Sequence, residues 1–383
     1  MEVFCLLLVF FIIFMIWSSG YFSKLNYSLL PKDYLKGLNF LLNDESDKAV
    51  DIFINMLQVN TDTIETHFAL GKLFRRKGEI DRAIRIHQNL INNKSLDQSF
   101  HFKSLYELGL DYLNAGMLDY AEEHLVELID IKEYSVRVIK ALLDIYQQEK
   151  AWESAIDMAY RLVLVTKVDM SHVIAHYYCE LADINYINNK NDIADRYIKQ
   201  AINEDEHCVR ASLLYAKSCI LKKEYKAALK SLKRIKEQNS DYLSEAIEPL
   251  ALCYREIKDE KKLIEYLMEI LLDHPNVPVV LILSERIREW RGDLKAAEFV
   301  ADYVRKYPSV RGLNLFIKFH LKNTSDRVHE DLTILQNLTK KLLADKLDYQ
   351  CVECGFASRS LDWYCPGCKQ WSVIKPTYCL DTL

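Results

Sequence analysis

The first residues form an unbroken apolar run. Val3 to Trp17 carries no charged or strongly polar side chain, and Ser18, Ser19, Gly20, Tyr21 and Phe22 extend it to 20 residues. At 1.5 Å rise per residue that length spans about 30 Å, the thickness of a bilayer's hydrocarbon core. Trp17 and Tyr21 fall where amphipathic aromatics favour the interface. The only side-chain charge before the run is Glu2, whereas Lys24, Lys32 and Lys36 follow it. A cleaved signal peptide wants the opposite order. The pattern predicts a retained single-pass membrane anchor over residues 1–22, with the basic flank and the body on the cytoplasmic side.

After residue 23 the pattern changes to apolar positions at helical spacing, and it recurs. Gly37 is followed twelve residues later by Ala49, Gly71 by Ala83, Gly109 by Ala121, Leu143 by Ala155, Ala182 by Ala194, and Ala216 by Ala228. Successive alanines lie 34, 38, 34, 39 and 34 residues apart. Small residues at matched positions let two antiparallel helices approach, while larger neighbours fill the space on either side. An aromatic or apolar residue follows four positions on, as in Phe53 and Ile198; Tyr112 and Tyr146 sit three residues after the first small or apolar site. This spacing resembles the tetratricopeptide repeat. The identities are degenerate: His87 and Ala159 stand where an aromatic is expected. The rhythm continues through Ala246–Ile257 with Lys261–Leu272, Val277–Trp290 with Leu294–Tyr307, and Gly312–Leu321 with Asp331–Ala344. The expectation is an all-α solenoid of eight or nine helix pairs over residues 23–345, with a concave face suited to holding another protein.

Composition supports helix and narrows function. Gly 10 and Pro 7 in 383 residues are too few for the tight turns of a sheet-rich fold. A net charge of −5 with interspersed signs argues against a nucleic-acid partner. Cys5, Cys179, Cys208, Cys219, Cys253 and Cys379 are scattered, as small apolar fillers in a reducing compartment would be.

The remaining four cysteines form a cluster. Cys351-Val-Glu-Cys354 is followed after ten residues by Cys365-Pro-Gly-Cys368. Each Cys-x-x-Cys turn aims two thiolates at one point, and two such turns give the tetrahedral sulfur set that zinc or iron accepts. Gly355 falls where a positive φ is often needed, and Pro366-Gly367 supplies the second turn. A segment of about 30 residues cannot fold on its own buried surface, so one structural metal ion per chain, zinc or iron, is expected within residues 346–383. The two turns resemble the knuckles of rubredoxin, which keeps iron electron transfer open as an alternative. Four thiolates leave no position for catalytic zinc. Tyr349, Phe356, Trp363, Tyr364 and Trp371 are expected around the ion or against the last repeats.

Other candidates are weaker. His172, His176 and Glu180 lie four apart on one helix face and could hold a metal, but ordinary helix packing explains them as well. Arg75-Arg76-Lys77 reads as a solvated helix C-terminus, with a partner or acidic-lipid contact as the rival. No phosphate loop and no Gly-x-Ser-x-Gly elbow occurs, so no catalytic residue is expected and the chain is read as not an enzyme.

Anchor, repeats and knuckle stand in the order of the lipopolysaccharide assembly protein B family, which the chain resembles over nearly its whole length. Tyr34–Phe40, Asp47–Phe53, Glu65–Leu73, Asp81–Leu90, Trp363–Trp371 and Ile374–Pro376 carry the likeness. The resemblance implies a regulator of lipopolysaccharide biosynthesis. Such a regulator acts as a proteolytic adaptor that presents the lipid A pathway deacetylase to a membrane-bound AAA+ zinc metalloprotease. It also implies restraint by an inner-membrane protein that senses lipopolysaccharide. A scaffold joining synthesis to the export machinery is the alternative, and a homo-oligomer is compatible with either.

Overall fold

The computed structural model describes residues 32–43, 45, 48–49, 52, 64–93, 97–274, 277–321, 326–344 and 347–377. Among these, no helix is long and apolar enough to cross a membrane. The anchor expected over residues 1–22 lies outside the described residues, as do Cys5 and Cys379. The chain divides into two compact units, Met1–Glu149 and Lys150–Leu383.

The first unit contains α1 (Lys32–Leu42), α2 (Ile64–Lys77), α3 (Ile80–Asn92), α4 (Gln98–Asn114), α5 (Leu118–Val126) and α6 (Ser135–Glu149). The second contains α7 (Trp152–Thr166), α8 (Ser171–Ile187), α9 (Asn191–Glu204), α10 (Val209–Leu221), α11 (Tyr225–Gln238), α12 (Leu243–Glu256), α13 (Glu260–Asp273), α14 (Val277–Arg291), α15 (Asp293–Lys306), α16 (Val310–His320) and α17 (Asp326–Ala344). A 3₁₀ turn, Ser240–Tyr242, precedes α12. Within each unit helices pack as sequential neighbours, such as α2 on α3, α8 on α9 and α10 on α11. The fold is mostly helical and tetratricopeptide-like, with a small ribbon at its C-terminal end.

The repeating alanines do what their spacing implies. Ala49, Ala83, Ala121, Ala155, Ala194 and Ala228 are all fully buried. Gly71 shows why the partner position must be small: a Cβ there would lie 2.4 Å from Nε2 of His87. The turn between the helices of a pair recurs as well. Gly78, Gly116, Lys150, Asn189, Lys223, Lys258 and Gly292 all have positive φ. The next residue's N–H often reaches back to a carbonyl five positions earlier, as in Glu79 to Phe74 at 2.9 Å and Glu224 to Cys219 at 2.8 Å. This is the Schellman closure of a helix C-terminus.

The basic run at the end of α2 is only partly a solvated helix end. Arg76 and Lys77 are exposed. Arg75 instead reaches into the next repeat, bonding Asp111 Oδ1 at 2.7 Å and Glu107 Oε2 at 2.7 Å. Asp111 also meets Nδ1 of His87, and Lys72 pairs with Glu107 at 2.9 Å. Burial alone would raise the Glu107 pKa, but Arg75 and Lys72 hold it below the usual carboxylate value. The degenerate His87 thus replaces an aromatic with a polar tie across three helices.

Candidate metal centre

The four cysteines converge. Their Sγ atoms all lie within 4.8 Å of one another. Cys351 and Cys368 are 3.7 Å apart, and Cys354 and Cys365 3.6 Å. A zinc–sulfur bond of about 2.3 Å in a tetrahedron requires sulfur–sulfur edges of about 3.8 Å. The distances suit an ion and are far too long for a disulfide bond of about 2.05 Å.

Local backbone geometry places them. β1 (Tyr349–Cys351), β2 (Ala357–Ser358) and β3 (Ile374–Pro376) form a sheet in the order β2-β1-β3, with Cys351 opposite Ile374. The two Cys-x-x-Cys turns have the same hydrogen bonds. Gly355 N–H donates to Cys351 O at 3.1 Å, and Lys369 N–H to Cys365 O at 2.8 Å. Cys351 N–H donates to Phe356 O at 2.7 Å, and Cys365 N–H to Gln370 O at 2.9 Å. The fourth residue after each leading cysteine has positive φ, 77° at Gly355 and 57° at Lys369. Gly367 serves close approach instead, since a Cβ there would sit 3.0 Å from Cys354 Sγ.

The thiols have divergent proton affinities. Burial opposes ionisation of Cys351, but the N–H groups of Cys354 and Glu353 and the thiols of Cys354 and Cys365 outweigh it and bring its pKa down to about 7. Burial, together with Cys365 and Cys351, pushes Cys368 up to about 12. One thiolate forms readily and then opposes the others. A divalent cation removes that conflict, so the donor set fits a thiophilic metal held by Cys351, Cys354, Cys365 and Cys368. Such an ion would supply folding free energy to the ribbon, and four thiolates would complete its coordination.

The ribbon is built mainly onto the middle of the second unit, with a further tie to α16 near the end of the array. Trp371 stacks on His176 of α8, with centroids 4.9 Å apart and planes 18° apart. It also meets Trp152 and Tyr177 edge-on. His176 Nε2 lies 2.7 Å from Ser372 Oγ. The Tyr242 hydroxyl donates to the carbonyls of Ser372 and Ile374 at 2.7 and 3.0 Å. Trp363 packs on Tyr242, and Lys375 pairs with Asp241 at 3.0 Å. Tyr349 donates to Glu245 of α12 at 3.1 Å, and Arg311 of α16 bonds Asp348 at 3.0 Å. Tyr349 and Phe356 both pack in the cluster of Cys351, Cys365 and Ile374.

The histidine pair is therefore not a second metal site. Among the described residues the four cysteines form the one cluster suited to a metal. His172 faces Asp205 at 3.2 Å, and Glu180 accepts from Arg210 at 2.8 Å. His176 is fully buried, and burial, then His172 and Arg210, pushes its pKa well below the ordinary value, so it is neutral. Its role and that of Tyr242 were missed from sequence. The available signal for His176 was its place beside the adjoining aromatics Tyr177 and Tyr178 on α8.

The chain is similar to several known proteins. A family model described as a rubredoxin metal binding domain matches residues 349–376. Solved structures resemble the chain loosely; one is a tetratricopeptide repeat protein from Parabacteroides merdae, 14% identical, covering 73% of this chain and 99% of that one at a TM-score of 0.32. Lipopolysaccharide assembly protein B of Haemophilus influenzae is 33% identical over 91% of this chain and 90% of its own length. Its namesake in Escherichia coli strain K12 is 35% identical over 92% of this chain and 91% of its own length. At that identity over nine-tenths of both lengths, the chain belongs to the lipopolysaccharide assembly protein B family.

Proposed function

We propose that this chain regulates lipopolysaccharide assembly without being an enzyme. It works from the cytoplasmic face of the inner membrane, as an adaptor that delivers the lipid A pathway deacetylase to a membrane-bound AAA+ zinc metalloprotease. The observation that carries the reading is likeness to the family across repeats and ribbon together. A helical array that holds protein surfaces, combined with a coordinatively complete thiolate site, suits recognition better than turnover. An anchor over residues 1–22 would raise the array's effective concentration beside a membrane protease. A lipopolysaccharide-sensing inner-membrane protein is the expected restraint.

The test is deacetylase half-life after synthesis is blocked, in cells with and without the chain. Stabilisation of the deacetylase on deletion, at unchanged synthesis rate, supports the adaptor. An unchanged half-life rejects it and favours the scaffold that joins synthesis to export, which crosslinking to export components would reveal. Iron in the purified protein with a reversible redox wave would reject both in favour of electron transfer.

A further inference from the structure

In the second unit α9 and α11 both pack on α10 and leave a cavity of about 310 Å³ between them. That is at the small end of the range of about 300–1,000 Å³ for small-molecule sites. Lys199 and Asn203 line it from α9, four residues apart and so on one helix face. Lys230 and Arg234 line it from α11 at the same spacing. Ile202 and Tyr215 add an apolar wall. Three cations therefore border one space, and among the described residues no carboxylate lines it.

The acids nearby are committed elsewhere. Asp195 accepts from Ser218 and Lys222, and Asp192 and Glu224 also act on Lys222. Glu204 accepts from Tyr160 at 2.7 Å, and Asp205 faces His172 at 3.2 Å. The Glu206 carboxylate lies 3.8 Å from His207, and only its backbone carbonyl accepts from Arg234, at 3.1 Å. Glu237 acts on Tyr266 of α13. Other cations of α11 are also engaged: Lys236 pairs with Glu269 and Asp273, and Lys233 lies over the Tyr254 and Tyr266 rings. Lys199, Lys230 and Arg234 have no carboxylate partner among the described residues.

This concentration of charge is unusual for the chain. α11 carries five cations, Lys226, Lys230, Lys233, Arg234 and Lys236, against one acid, Glu237, although the whole chain has a net charge of −5. Like charges four apart on a helix destabilise it, and Lys226, Lys230 and Arg234 make two such pairs in succession. An anion in the cavity would relieve that repulsion and the approach of Lys199 from α9.

We infer that this cavity binds a phosphate monoester. Such a group carries a charge of about −1.5 to −2 and three acceptor oxygens, enough to answer donors on three separate residues. A carboxylate has one charge and two oxygens and would leave a cation unanswered. Arg234 is already held by the Glu206 carbonyl, so part of its ordering cost is met before a ligand arrives. The space beside Ile202 and Tyr215 takes the small organic group that the phosphate is attached to. The site stands whether or not the chain is a proteolytic adaptor.

The test is calorimetric titration of the full chain, in phosphatidylcholine nanodiscs at low salt, with glycerol phosphate. One ligand should bind per chain, at least about tenfold more tightly than acetate. Lys199→Gln should weaken binding about tenfold or more, and so should Lys230→Gln with Arg234→Gln. Lys199→Arg should retain it, and Lys261→Gln, the same loss of charge placed on α13, should leave it unaltered. Nanodiscs doped with phosphatidic acid or phosphatidylglycerol separate the sources of the phosphate. Suppression by phosphatidic acid alone assigns it to a lipid headgroup, and suppression by neither assigns it to a soluble ester. No saturable binding, acetate binding as tightly, equal suppression by both lipids, or Lys261→Gln weakening binding as much as Lys199→Gln would each overturn the proposal.

Discussion

Replacing Trp371 with alanine isolates docking from metal binding. The indole is 8% exposed and touches three rings of the helical array, Trp152, His176 and Tyr177, against one ring of its own ribbon, Tyr364. Removing a buried Trp costs about 3–5 kcal/mol. Most of its ring contacts are to the array, so about 3 kcal/mol of that loss falls on docking. At 1.4 kcal/mol per decade this weakens the docked state on the order of 100-fold. The hydroxyl of Tyr242 and the Tyr349–Glu245 contact remain, so docking is loosened, not abolished. Trp371 is not a ligand, and a structural zinc site contributes about 10–16 kcal/mol, so metal should stay bound. The assay is limited proteolysis between α17 and β1 together with metal content per chain. Trp371→Ala should be cut on the order of 100-fold faster at one metal per chain, and Trp371→Phe should recover most of the protection. Unchanged proteolysis, or metal lost in step with protection, would refute this assignment of the ring to docking.

Three further outcomes follow from the same contacts. Cys365→Ser removes a fully buried ligand and should release the metal and unfold the ribbon while far-UV circular dichroism of the array persists; full metal occupancy would contradict it. Gly71→Ala should lower stability by about 1–3 kcal/mol in urea, because the new methyl displaces the His87 ring that meets Asp111; a neutral substitution would mean the ring moves freely. His176 is held neutral, so its folded pKa lies below the unfolded value of about 6.5. Its contribution is present above that value and is lost as pH falls toward the folded pKa. Proteolysis of the metal-loaded chain should therefore accelerate below about pH 6, and less so in His176→Gln; equal acid sensitivity of the two would discount the histidine.

Much of this was legible in sequence because it depends on spacing. The alanines at intervals of 34 to 39 residues mark where helices must nearly touch, and every one of them is buried. The two Cys-x-x-Cys turns are local, so their convergence follows from short-range geometry, as does the positive φ of Gly355. Long-range contacts were not legible. Arg75 has the look of any helix-ending arginine until its acid partners, 32 and 36 residues away, come into view. The His172–His176 spacing suggested a ligand pair, but the partners that decide its role are Asp205 and a serine 196 residues downstream. Lys150, Asn189, Lys223 and Lys258 close their helices in the same conformation as Gly78 and Gly116 without the residue that would announce it.

The bonds from Tyr242 to Ser372 and Ile374 also set an order of assembly. During synthesis the binding surface on α7, α8 and the 3₁₀ turn is finished well before the segment that covers it has been translated. For that interval the Trp152, Tyr177 and His176 rings stand uncovered on a nascent chain, available to chaperones. A product cut between Cys368 and Trp371 keeps all four metal ligands and loses both carbonyls that Tyr242 binds. It would still present the four thiols yet lose β3 and leave the array open, so the presence of the cysteines by itself is a poor certificate of a docked ribbon.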